Sequence, residues 1–173
     1  LIYQEEANCE YVYISRKSLR PILTQAVGDL TESGNVLARG EYTLEELIRY
    51  MGYSLNDIDS SKKIDLGKKY NARKLNDHKE IKDILASEKI LHGERMLASE
   101  GMKYLKEHGL FDTDILLVDV GWHGTTQYIL EKIQKSKSEN FSVKGLYIGC
   151  LDGTDEKIGR NNYKAFLFDE QKA

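Results

Sequence analysis

The sequence is poor in the features that would place it in a membrane, on nucleic acid or in an oxidising compartment. No run among its 173 residues approaches the ~20 consecutive apolar residues that a membrane-spanning helix needs. The opening Leu1-Ile-Tyr-Gln-Glu-Glu has neither an initiating methionine nor the charged-then-apolar pattern of a leader. Residues 1–173 are therefore expected to be a single α/β domain excised from a larger, multi-domain protein. Two cysteines, Cys9 and Cys150, stand outside any Cys-x-x-Cys spacing. They read as structural free thiols in a reducing cytoplasm, not as a disulfide framework. His78, His92, His108 and His123 are dispersed, with no second ligand at metal spacing, so no protein-held metal site is expected. Basic residues (25) do not outnumber acidic ones (28) and form no cluster, which excludes a nucleic-acid surface. No serine or cysteine sits in a nucleophile elbow of the Gly-x-Ser-x-Gly kind.

What the chain does have is 40% hydrophobic and 31% charged residues, enough for one soluble domain with a core of its own. It is organised around Asp114-Ile-Leu-Leu-Val-Asp-Val-Gly-Trp-His-Gly-Thr-Thr-Gln-Tyr-Ile-Leu130. Four aliphatic residues, Ile115 to Val118, predict a parallel strand buried on both faces, with Asp119 at its carboxyl end. Gly121 and Gly124 bracket Trp122 and His123 in a sharp turn, and Thr125 and Thr126 open the next helix. The first amides of a helix lack intrahelical acceptors and carry a partial positive charge, so such a turn suits a phosphate. The same residues also make an ordinary N-cap after a tight turn, and both readings stand. Trp122 either stacks on a ligand or anchors helix to sheet. Gln127 either donates to a ligand or is solvated. Asp119 and His123 are the catalytic candidates, and His123 would be the general base if the chain were a free-standing hydrolase.

Upstream, Tyr11 to Ser15 predicts a first strand whose polar exit places Ser15, Arg16 and Ser18 beside the same ligand. Arg16 offers a planar, bidentate match to phosphate. Pro21 suits the first turn of a short helix ending near Val27. Thr43-Leu-Glu-Glu46 is a capping box opening a helix that Gly52 ends, with Leu44, Leu47, Ile48 and Met51 as its apolar stripe. Helical periodicity returns from Asp77 and runs to Gly109. Val143 to Gly149 predicts a strand completing a parallel strand–helix–strand unit, and Asn162 to Phe168 an edge strand. The expected architecture is α/β: a mostly parallel, Rossmann-like sheet with flanking helices and a helical insertion, about 41–109, between its first two strands.

Three blocks, Tyr11-Val-Tyr-Ile-Ser-Arg-Lys-Ser-Leu19, Leu117-Val-Asp-Val-Gly-Trp-His-Gly-Thr-Thr-Gln127 and Gly145-Leu-Tyr-Ile-Gly149, resemble the region downstream of the hydrolase module in large bacterial haloacid-dehalogenase-superfamily proteins. Such proteins are encoded with glycosyltransferases for surface polysaccharides. The family's phosphatase signature, Asp-x-Asp-x-Thr after a strand, is absent from this chain. The resemblance thus implies a domain that binds or transfers a phosphorylated sugar or nucleotide-sugar, or a silent scaffold for neighbouring domains of the same chain. Val118 to Thr126 is also similar, more weakly, to the diphosphate loop of type I phosphoribosyltransferases. That likeness would set Asp119 on a sugar hydroxyl or on a water of Mg2+, and Gly124, Thr125 and Thr126 around a phosphate.

Overall fold

The computed structural model describes residues 10–37, 40–58, 65–137 and 141–170. Cys9 lies outside them. In chain order the elements are α1 (Arg16–Val27), α2 (Leu30–Leu37), β1 (Glu41–Thr43), α3 (Leu44–Tyr50), β2 (Lys69–Asn71), α4 (Lys79–Leu85), α5 (Glu88–Glu107), β3 (Ile115–Asp119), α6 (Thr125–Lys137), β4 (Val143–Cys150), α7 (Thr154–Ile158) and β5 (Tyr163–Asp169). Helices therefore dominate the first two-thirds, and the principal sheet is built entirely after residue 114.

That sheet has the order β3-β4-β5 with every pairing parallel. The strand–helix–strand unit read from the sequence is present: Leu117 pairs with Gly145 and Asp119 with Tyr147 across β3 and β4. β5 occupies the far edge and carries a bulge between the Tyr147 and Gly149 pairings. β1 and β2 form a separate antiparallel pair.

The strand expected at 11–15 does not form. The Ile14 amide donates to the Val12 carbonyl at 3.0 Å, and the Tyr13 amide donates to the Tyr104 hydroxyl at 3.0 Å. Those donors are used on a tight local turn and on α5, so they are lost to a ladder. The segment still alternates as its composition suggests: Val12 and Ile14 pack against the core while Tyr11 and Tyr13 face solvent. Consequently residues 41–109 do not separate two strands of the sheet. The established architecture is mixed α/β with a three-stranded parallel sheet. A second correction concerns β3, which the described residues cover on one face only, because Leu116 and Val118 are exposed.

Helix boundaries follow local chemistry. Ser15 and Ser18 form a capping box that starts α1 five residues ahead of Pro21, which lies inside the helix instead of in its first turn. Gly28, at φ 73°, ends it in the left-handed conformation. The capping box predicted at Thr43 is present: the Glu46 amide donates to Thr43 Oγ1 at 3.2 Å, and the Thr43 amide donates to Glu46 Oε2 at 2.8 Å. Thr43→Ala is expected to lower unfolding free energy by about 0.5–2 kcal/mol in a urea titration, with Thr43→Ser losing little. An unchanged midpoint for the alanine variant would contradict this role. The periodic stretch from Asp77 divides at Ala86 and Ser87 into α4 and α5.

Two apolar clusters hold the helices together. One joins Leu19, Ile22 and Leu23 of α1 to Met102 and Leu105 of α5 and to Ile129 and Ile133 of α6. The other gathers Leu44, Leu47 and Ile48 of α3 with Ile81 and Leu85 of α4 and Ile90 of α5. No helix among the described residues is long and apolar enough to cross a membrane.

Candidate functional site

β3 delivers Asp119 to the carboxyl edge of the sheet, on the face that α6 covers, in register with Tyr147. The chain then turns at once. The Gly121 amide donates to Asp119 Oδ1 at 2.7 Å, and a Cβ at Gly121 would lie 3.0 Å from that oxygen, so the carboxylate is folded closely over the Gly121 backbone. Gly124 is needed on two counts. It sits at φ +58°, and a Cβ there would lie 2.7 Å from Ile158 Cδ1 of α7. The α6 ladder begins immediately afterwards, with the Tyr128 amide donating to the Gly124 carbonyl at 2.9 Å.

α7 seals this loop from the other side. The Leu151 amide donates to the Trp122 carbonyl at 2.9 Å, and Thr154 Oγ1 lies 3.5 Å from the same carbonyl. The Lys157 ammonium donates to Thr125 Oγ1 at 3.2 Å, bringing a positive charge to the amino end of α6. Sequence reading missed Lys157, since a five-residue helix between a glycine and a glycine carries almost no periodic signal. Thr125 is buried and Thr126 half-buried. Trp122 is 51% exposed, its ring edge-to-face with Phe168 at 5.6 Å. Its ring thus rests against the last strand while half of its surface stays open. His123 is half-buried beside it.

Gln127 departs from both of its expected roles. It is fully buried, with Nε2 3.0 Å from Glu131 Oε1, 3.2 Å from the Val143 carbonyl and 3.0 Å from the Asn162 carbonyl. Its Oε1 accepts from the Tyr147 hydroxyl at 2.9 Å. The amide is committed to protein partners, so Gln127 ties α6 to β4 and to the approach to β5 instead of meeting a ligand or solvent. Burial first, and then the nearby Asp119 carboxylate, push the Tyr147 hydroxyl up, keeping it a donor. Burial likewise raises the Glu131 carboxyl, with the Gln127 amide acting in the opposite direction.

No known family matches this chain, and neither do the curated proteins or the solved structures.

Ser15, Arg16 and Ser18 are not delivered to the sheet edge by a strand, as had been expected. Ser15 and Ser18 spend their polar groups on one another: the Ser18 amide donates to Ser15 Oγ at 3.1 Å and the Ser15 amide to Ser18 Oγ at 2.8 Å. Arg16 is exposed in the first turn of α1. Ser18 instead borders a largely apolar cavity of about 540 Å³ between α1 and α5, with Arg20, Ile22, Leu97 and Tyr104 among its walls and no residue from the loop after β3. For magnesium, no group of three or more His, Cys, Asp or Glu side chains that could hold a metal occurs among the described residues. Asp119 supplies a single carboxylate. That number suits Mg2+ only where a substrate phosphate completes the coordination.

Proposed function

We propose that the chain binds a phosphorylated sugar or the diphosphate of a nucleotide-sugar over the Gly121-to-Gly124 turn and the amino end of α6. The observation that carries this reading is Lys157 beside Thr125: a cation from a separate helix meets the helix end whose first amides already favour an anion. Asp119 would take a sugar hydroxyl or a water of Mg2+, Thr126 a phosphate oxygen, and the exposed ring of Trp122 a sugar or base face. His123 is the group that would move a proton if transfer occurs. In this reading the chain serves a haloacid-dehalogenase-like bacterial protein that works beside cytoplasmic glycosyltransferases in surface-polysaccharide synthesis.

Nucleotide-sugars, sugar phosphates and phosphoribosyl diphosphate, screened with and without Mg2+, provide the test. A ligand at 100 times its dissociation constant adds about 2.7 kcal/mol to stability, so a true ligand raises the melting temperature in proportion to log concentration. Lys157→Met is expected to weaken the best ligand about tenfold in calorimetry, the worth of one hydrogen bond to a charged group. Asp119→Asn should remove the dependence on Mg2+ or on the sugar. Both variants binding like the parent would refute the site. A second reading, a silent scaffold for neighbouring domains, is favoured by the exposed apolar face of the sheet, and a panel without any shift would support it.

A further inference from the structure

One face of the parallel sheet packs under α6; nothing among the described residues lies over the other. On that face Leu116, Val118 and Phe166 are 65%, 73% and 81% exposed, and even on the central strand Leu146 and Ile148 keep 37% and 44%. The pairings Leu116 with Lys144, Val118 with Leu146 and Leu146 with Lys164 put these residues in adjacent rows. Isolated exposed apolar residues are ordinary, whereas a contiguous patch of this kind marks an interaction surface. Parallel sheets, moreover, are built to be covered on both sides.

The charges at the rim choose the occupant. Lys144 and Lys164, both exposed, stand at the amino end of the face. Asp114 is the acid near Lys144 there, and its carboxylate accepts from the Ser142 amide at 2.7 Å. At the carboxyl end, exposed Asp152 and Glu170 follow β4 and β5, joined by a 3.2 Å hydrogen bond from the Asp152 amide to Glu170 Oε2. Counted along the chain, Ile148 is midway between Lys144 and Asp152, and Leu167 midway between Lys164 and Glu170. The bulge sets Phe166 and Leu167 opposite Ile148, so both midpoints fall on one line across the sheet.

We propose that this face docks a second copy of the chain, sheet on sheet, about a two-fold axis along that line. Each strand then lies over its own counterpart running the other way, Lys144 faces the partner's Asp152, and Lys164 faces the partner's Glu170. The alternative axis, parallel to the strands, would bring the lysine ends together. An amphipathic helix would cover the apolar rows without using the symmetry of the two charged ends. Isologous pairs are the commonest oligomers, and two faces of this size bury on the order of 1,200–1,600 Å², the range of specific interfaces. The proposal does not depend on the ligand reading.

Sedimentation velocity over the micromolar range is expected to show a monomer–dimer equilibrium. Ile148→Glu, on the axis, sets two carboxylates against each other and should raise the dimer dissociation constant about 30-fold or more, the scale of a central hot spot. Its exposure predicts an unchanged circular dichroism spectrum. Lys164→Glu should weaken the dimer about tenfold, and adding Glu170→Lys should restore it, because each contact then pairs opposite charges again. A monomer at every concentration overturns the proposal, as does a dimer indifferent to Ile148→Glu. Failure of the charge swap to restore association overturns the antiparallel stacking. A monomer that instead captures an amphipathic helical peptide on this face assigns the surface to a different occupant.

Discussion

Replacing Glu94 with alanine is expected to lower unfolding free energy by about 3–5 kcal/mol, the cost of leaving one member of a buried ion pair behind. Arg20 Nη2 lies 2.6 Å from Glu94 Oε1, and both side chains are almost completely buried. The guanidinium also donates to the Met51 carbonyl at 3.0 Å and lies 5.7 Å from the centre of the Tyr53 ring. The Tyr53 hydroxyl donates to the same carboxylate oxygen, and burial followed by that carboxylate pushes the hydroxyl up. Arg20 Nε and Nη1 have no hydrogen-bond partner among the described residues, so losing Glu94 strips the guanidinium of a carboxylate it holds at close range. Removing both charges, as Arg20→Met with Glu94→Leu, should recover most of the loss, because desolvation of the pair disappears with the pair. The pair also joins the two apolar clusters: Arg20 projects from α1, beside the first, toward Met51 and Tyr53 of the second. The single variant should therefore broaden the urea transition as well as shift it. A loss below about 1 kcal/mol would mean that the charge is relieved by solvent and that the clusters are joined otherwise.

Most of what depended on neighbours in sequence was legible; most of what depended on partners far along the chain was not. The unit Ile115 to Gly149 was readable because an aliphatic run, a glycine-bounded turn and an amphipathic helix follow one another. The capping box at Thr43 and the stop at Gly109 were readable for the same reason. Tyr11 to Ser15 has the composition of a strand, but its amides are taken by Val12 and by Tyr104 of α5, a tertiary effect that outweighs propensity. The run Ile115 to Val118 cannot by itself distinguish a strand covered twice from one covered once. Arg20 and Glu94 meet across 74 positions and carry no local signature. Gln127 left a faint one, since it shares the inward side of α6 with Leu130 at helical spacing. A polar residue on an apolar stripe points to a buried hydrogen-bond network as readily as to a ligand.

Gln127→Leu is the substitution that separates those two meanings. If the amide is structural, leucine fills a similar volume but leaves the Val143 carbonyl, the Asn162 carbonyl and the Tyr147 hydroxyl without their partner, and the expected cost is roughly 2–4 kcal/mol. Gly145 leaves the space that this network occupies, because any Cβ there would lie 2.2 Å from Gln127 Oε1 and from the Tyr147 ring. Tyr147→Phe alone should cost less, and in the double variant the two losses should fall short of additive, since the orphaned hydroxyl is gone. The pH dependence has a definite sign. Glu131 titrates above its ordinary value when folded, so it favours the folded state below the unfolded carboxyl range, and that contribution is lost as pH rises through its folded value. Removing the Gln127 amide takes away a contact that lowers this value, so the penalty of Gln127→Leu should be larger at neutral pH than in acid. Ligand affinity of the folded fraction should stay within a few-fold of the parent's. A stable Gln127→Leu protein that has lost its ligand would instead assign Gln127 to the binding site and break the link proposed between α6, β4 and β5.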